Sequence, residues 1–278
     1  MKIYISVDGE GASGVVTAGE MYPGKPGYEF GRKMMTLDVN AAVEGAFEGG
    51  ATEVVVNDSH WHMNNIDMEL LDPRADLIRG GNKHLGMVEA IHEGFDGAFF
   101  IGYHARAGAS DGVGNETVWG REVIEMRMNG KPVGEAEMNA AVAGFYGVPV
   151  IMVSGDNCFC EEIRQTLPMV EVAPVKYALN RFSARCLSLE KAHKLIREKA
   201  ASAVHEITRH QPYKVEGPIE LETEFMSTAE ASTASMMPGS VRKSLRTVAF
   251  TGKDPVEAWK GVFSTQLIGC TASDDIYG

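Results

Sequence analysis

The chain has 278 residues, 44% hydrophobic and 23% charged, which is ordinary globular composition and enough for one large domain or a main domain with an appendage. A formal net charge of −12 with no basic cluster argues against a nucleic-acid footprint or binding to an anionic membrane surface. Four cysteines (Cys158, Cys160, Cys186 and Cys270) are too few for a disulfide framework, and Cys158-Phe-Cys160 lacks the spacing of a redox pair, so idle thiols are expected.

The opening residues, 2–8, alternate Ile3, Ile5 and Val7 with Tyr4 and Ser6, the pattern of a buried or half-buried strand. It runs into Asp8-Gly9-Glu10-Gly11, where side chains two apart face one side and the glycines leave open space before the acids. On that strand end alone three readings stand: a hard-metal site, an acid/base pair, or a solvated turn. The N-terminus shows no basic stretch before an apolar core, so no signal peptide is expected and the protein is read as cytoplasmic.

A glycine-rich segment to about Tyr28 precedes a helix over 29–48, with Met35, Val39, Ala42, Val43, Ala46 and Phe47 on one stripe and Gly49-Gly50 as its stop. Residues 53–57 form a second strand, giving a β-α-β unit with a parallel pair. A third strand is predicted over 75–79, a short helix over 85–92 and a fourth strand over 97–102. Residues 122–128 alternate into Asn129-Gly130, a two-residue hairpin turn. A helix over 135–146, a strand over 148–154, a helix over 156–166 and a strand over 169–174 follow.

The apolar stretch 140–153 is too short to span a membrane and holds Gly144, Gly147 and Pro149. Ser188 caps a long helix over 189–208, residues 218–225 and 247–250 are strand candidates, and Pro255 opens a last helix to about 267. The expected fold class is α/β, a mostly parallel sheet flanked by helices, with a smaller C-terminal α+β portion. Residues 1–180 are expected to form the main α/β domain and 181–278 the smaller portion.

Three further strand ends carry candidate ligands: Asn57-Asp58-Ser59-His60, Gly102-Tyr103-His104 and, past the hairpin, Gly134-Glu135. Open α/β sheets bind ligands beyond the carboxyl ends of their strands, so Asp8, Glu10, His60 and His104 share one rim with Glu135 nearby. Two imidazoles and three carboxylates suit zinc, and less distinctively manganese or cobalt. One catalytic zinc takes about three protein ligands, so five side chains fit a pair of metals sharing a carboxylate, with Asp8 as the natural bridge. His84, His92, His193, His205 and His210 read as ordinary surface histidines, while His62, beside Trp61 and Asn64-Asn65, is a candidate pocket residue.

The segments Ser6-Val7-Asp8-Gly9-Glu10-Gly11, Val56-Asn57-Asp58-Ser59-His60, Met63-Asn64-Asn65, Gly102-Tyr103-His104-Ala105-Arg106-Ala107 and Pro132-Val133-Gly134-Glu135 resemble the D-aminopeptidase family of the dipeptide-operon (DppA) type. Ser154-Gly155-Asp156, Cys186-Leu187-Ser188 and Met237-Pro238-Gly239 extend the resemblance over nearly the full chain. It implies an α/β peptidase with two zinc ions per subunit on Asp8 (bridging), Glu10, His60, His104 and Glu135. It further implies release of D-amino acids, notably D-alanine, from the amino end of short peptides, and assembly into a ring-shaped homo-oligomer, typically a decamer.

One departure stands out: the family pattern places a histidine in the loop after the HARA segment, whereas no histidine lies between His104 and His193 here. Asn115 occupies roughly that place and Glu116 follows it, so these two are the candidate catalytic residues, with His62 and Asn65 at the substrate. Asn115 can hydrogen-bond an oxyanion but cannot accept a proton at neutral pH, which leaves Glu116 as the candidate base. The leading expectation is a dinuclear zinc D-aminopeptidase. Two alternatives are an amidohydrolase for a cyclic or non-peptide amide and a non-catalytic peptide-binding ring.

Overall fold

The computed structural model describes residues 1–273. Strand β1 (Lys2–Val7) leads through helices α1 (Ala18–Met21) and α2 (Tyr28–Glu48) to β2 (Glu53–Asp58), β3 (Ala75–Ile78) and β4 (Gly97–Ile101). The hairpin β5 (Val123–Met128) and β6 (Lys131–Val133) precedes α3 (Glu135–Phe145), β7 (Val150–Asp156), α4 (Asn157–Thr166), β8 (Glu171–Asn180) and β9 (Ser183–Cys186). Then come α5 (Leu189–His205), β10 (Ile219–Phe225), α6 (Thr228–Ala234), β11 (Ser240–Arg242), β12 (Thr247–Gly252) and α7 (Pro255–Cys270).

Local chemistry sets these boundaries. Asn129 and Gly130 both take positive φ, 52° and 80°, as the tight hairpin between β5 and β6 requires. Ser188 and Asp254 accept backbone N–H groups at the starts of α5 and α7. The short helix expected over 85–92 is instead two 3-10 turns, because Gly86 and Ala90 adopt left-handed backbone at φ 54° and 64° and interrupt any α ladder.

Seven strands form one sheet in the order β3-β2-β1-β4-β7-β8-β9, parallel except for β9. Ile3, Ile5 and Val7 of β1 pack with Val39, Val43 and Ala46 of α2 and with Ile196 and Ala200 of α5 on one face. Tyr4, Ala98 and Phe100 look the other way, onto a core shared with Met138 and Val142 of α3, Phe159 of α4 and Trp259 of α7.

A second sheet, antiparallel and ordered β11-β12-β10-β5-β6, joins that same core through Met126, Met128, Ile219 and Leu221. Its strands come from both sides of residue 180, while β9 joins the first sheet and α5 packs on that sheet's face. Leu221 of β10 stands opposite Met128 of β5, and Thr223 opposite Met126.

The chain leaves β1 toward β2 and β3 on one side and reaches β4 on the other, so the strand order reverses between β1 and β4. A crevice beyond the carboxyl ends of these two strands is the expected ligand site. Beneath it lies a buried polar network: Ser6 Oγ lies 2.7 Å from the Tyr103 hydroxyl and donates to the Met87 carbonyl, and Asn139 Nδ2 of α3 reaches the same hydroxyl at 3.2 Å. The network fixes the ends of β1 and β4 against α3.

Candidate metal centre

Asp8 is the first residue past β1, and its N–H still donates to the Ile101 carbonyl of β4 at 2.8 Å. The two strand ends approach so closely that only glycine fits between them. At Gly102, φ is 73° and a Cβ would lie 2.3 Å from the Asp8 carbonyl oxygen. A Cβ at Gly9 would stand 2.9 Å from the His60 ring.

His60 sits two residues past β2 on a turn in which Trp61 and Met63 adopt left-handed backbone, φ 50° and 56°. Such conformations are costly for these residues and persist where the surroundings hold them. Asp58 and Asn65 do so here. The Asp58 carboxylate accepts the N–H groups of Asn65 and Ile66, and Asn65 Nδ2 donates to Asp58 Oδ1 at 2.8 Å and to the His60 carbonyl at 2.6 Å.

Glu10 is held from below by Lys176, a fully buried residue of β8. Its ammonium donates to the carbonyls of Glu10 (2.6 Å), Ala12 (3.0 Å) and Val15. Glu135 opens α3, where the helix N-terminus favours a carboxylate, and accepts the Val118 N–H at 2.6 Å.

Two buried groups result, and they share Asp8. One is Asp8, Glu10 and His60; the other is Asp8, His104 and Glu135. His60 Nδ1 lies 3.2 Å from Asp8 Oδ1 and 3.1 Å from Glu10 Oε2. His104 Nε2 lies 3.1 Å from Asp8 Oδ2 and 3.5 Å from Glu135 Oε2. Asp8 thus offers one oxygen to each group.

Each imidazole is oriented through its other nitrogen. His60 Nε2–H donates to the Met21 carbonyl at 2.7 Å and His104 Nδ1–H to the Ala105 carbonyl at 3.1 Å. In the neutral ring this leaves a lone pair aimed at carboxylates, an arrangement that needs a positive charge between them. Burial opposes protonation of both rings, yet the facing carboxylates, Glu10 and Asp8 for His60 and Glu135 and Asp8 for His104, raise them well above the ordinary value. Burial likewise works against ionised Asp8 and Glu135, but the histidines hold both below the usual carboxylate range.

Asp8 Oδ2, Glu10 Oε2, His104 Nε2 and Glu116 Oε2 are buried without a hydrogen-bond partner. The ligand separations match the roughly 3.3 Å edge of a tetrahedron whose vertices lie about 2.0–2.1 Å from zinc. The residues present therefore fit a pair of zinc ions.

Of the other candidates, Glu116 reaches the cluster, its Oε1 3.5 Å from His104 Nε2. Burial and the nearby Glu135 carboxylate raise its carboxyl well above the usual range. Asn115 does not join it; its amide donates to the Ala109 carbonyl at 3.0 Å within its own loop. Asn65 is fully buried and its amide holds Asp58 and the His60 turn. His62 is exposed and lines a cleft of about 320 Å³ alongside Tyr28, Arg32 and Arg79. Sequence reasoning missed Lys176, whose only signal is a lysine within an otherwise apolar strand run.

The D-aminopeptidase (Peptidase_M55) family model matches residues 1–263. The D-aminopeptidase of Bacillus subtilis (strain 168) is 41% identical over 263 residues, 94% of this chain and 95% of that protein. The solved structure of a Zn-dependent D-aminopeptidase DppA from Bacillus subtilis, described as a self-compartmentalizing protease, superposes with a TM-score of 0.95 at 40% identity. That match covers 99% of this chain and 100% of the other.

Proposed function

The chain belongs to the D-aminopeptidase family, and on that premise we propose that it is a zinc-dependent aminopeptidase that removes an N-terminal D-amino acid from short peptides. Asp8, Glu10 and His60 hold one zinc ion and Asp8, His104 and Glu135 the other. The observation that carries this reading is the pair of buried ligand groups with Asp8 common to both.

A zinc ion held by these residues would supply polarisation of the scissile carbonyl and acidification of water. Asp8 holds the two halves of the site in register by giving one oxygen to each. His60 and His104 keep fixed tautomers through the Met21 and Ala105 carbonyls. Glu116, with a buried carboxyl oxygen free of partners at the edge of the cluster, takes the proton from the attacking water and returns it to the leaving amine. It stands in for the histidine that the family pattern places in this loop. Asn115 shapes that loop through Ala109, and His62 meets the substrate at the cleft.

The self-compartmentalizing relative supports oligomeric assembly, and we infer that the assembly is a ring-shaped decamer to which residues 181–278 contribute contacts. No helix among the described residues is long and apolar enough to cross a membrane. We further propose a cytoplasmic location.

The test pairs metal analysis with turnover of D-Ala-D-Ala, L-Ala-L-Ala and a cyclic dipeptide. Two zinc ions per chain and preference for the D-dipeptide are expected, with metal and activity both lost in Glu10→Ala. Full zinc content and activity in that variant, or faster turnover of the L- or cyclic substrate, overturns the reading.

A further inference from the structure

The cleft of about 320 Å³ lined by His62 and Asn64 of the His60 turn has an unusual charge. Its walls are Pro23, Tyr28, Arg32, His62, Asn64 and Arg79, with no acidic side chain among them. In a chain of net charge −12 this is a local inversion of sign.

Two guanidinium groups line it, from α2 and from just past the carboxyl end of β3. Arg32 is fixed in place, its Nε on the Asn65 carbonyl at 2.9 Å and its Nη1 on Glu29, a mostly exposed acid, at 3.0 Å. Arg79 makes no ion pair among the described residues, and its hydrogen bond to the Asn64 carbonyl is long, 3.4 Å. A planar cation fixed on one wall, with a second, uncommitted one in the same cleft, is an arrangement suited to a carboxylate.

The cleft and the metal cluster share a wall, the turn 60–65. His60 faces the metal ligands from one end of that turn, and His62 lines the cleft two residues on. Tyr28, on the far wall, donates to Asn65, whose amide in turn holds the His60 carbonyl. Trp61 alone separates His60 from His62, so the turn ties the cleft to the cluster within two residues of chain.

We propose that Arg79 and Arg32 form a subsite for the free C-terminal carboxylate of the peptide substrate, which restricts the enzyme to very short chains. The identity of the ligand as a peptide end rests on the proposed function; the site as an anion subsite does not.

Two measurements test it on the zinc-loaded protein, with Arg79→Met as the variant because Arg79 is exposed and makes only one weak hydrogen bond. The first compares kcat/KM for D-Ala-D-Ala with that for its C-terminal amide. The free acid is expected to be preferred by about tenfold or more, through KM, and Arg79→Met to bring the preference within about twofold. The second is calorimetric binding of N-acetyl-D-alanine against N-acetyl-D-alaninamide, where the same loss of discrimination is expected.

Equal handling of acid and amide by the wild type, or discrimination that survives Arg79→Met, overturns the subsite; the latter places the carboxylate on the metals instead. Absence of any D-peptide turnover refutes the hydrolytic reading and with it the peptide as ligand. The calorimetric comparison then still decides whether the arginines bind a carboxylate.

Discussion

Replacing Lys176 with methionine keeps length and packing but removes the donor that ties together the carbonyls of Glu10, Ala12 and Val15. Hydrogen bonds from a charged donor contribute about 1.5–3 kcal/mol each, and three are lost. Against this stands the cost of burying the ammonium, which pushes the Lys176 pKa down to about 8 from 10.5, a difference of roughly 3 kcal/mol. The net expectation is destabilisation by about 2–6 kcal/mol, read by urea unfolding of the metal-free protein. Because the freed loop carries Glu10, zinc affinity is also expected to fall about 10–100-fold, as when a group orienting a metal ligand is removed. A competition titration with a zinc indicator measures this, and the loss should fall on the proposed site that contains Glu10. A Lys176→Met protein within about 0.5 kcal/mol of wild type and with unchanged zinc binding would refute the idea that this lysine braces the site.

Asn65→Ala removes the clamp on the His60 turn and is expected to cost about 2–4 kcal/mol and weaken one zinc site. A rise in KM alone, with zinc binding intact, would instead make Asn65 a substrate contact. Gly102→Ala puts a methyl group 2.3 Å from the Asp8 carbonyl at a left-handed φ, and a loss above about 3 kcal/mol is expected from thermal unfolding; an unaffected Tm would contradict the close approach. Burial, then Glu137, push Glu162 up to about 7 from 4.5, so its contribution to stability is complete below the lower value and is lost as pH rises through the upper one. Glu162→Gln retains an acceptor for the Arg106 N–H and is expected to be neutral near pH 4.5 but stabilising by about 1–3 kcal/mol near pH 8. An equal gain at both ends of that range would exclude the linkage.

The parallel strands of the first sheet and their rim were legible because they follow from patterns local to the sequence, whereas β9 was missed and β8 runs six residues past its expected end. Alternation in 2–8, the apolar run 53–57 and the stop at Gly49-Gly50 define β1, α2 and β2 without tertiary information. Strand ends then gather Asp8, His60 and His104, and the Asn129-Gly130 turn delivers Glu135 to the same place. The second sheet was not legible, since antiparallel pairing of β5 with β10 joins segments about ninety residues apart and leaves no periodicity to read. Lys176 was missed for a related reason: its three acceptors lie more than 160 residues earlier in the chain. Asn65 looked like a pocket residue because its motif neighbours are, whereas its burial depends on the folding of the turn behind it. Arg79 looked like a strand end and nothing more until Arg32 appeared across the cleft.

The pairing of β5 with β10 has a consequence for synthesis. A nascent polypeptide that has just cleared the ribosome with Glu135 already contains every proposed zinc ligand, yet the hairpin leading into Glu135 still lacks its neighbouring strand. That strand ends at Phe225, and the lysine bracing Glu10 also comes after all five ligands. All five ligands are thus synthesised well before the strand and the lysine that hold two of them in place.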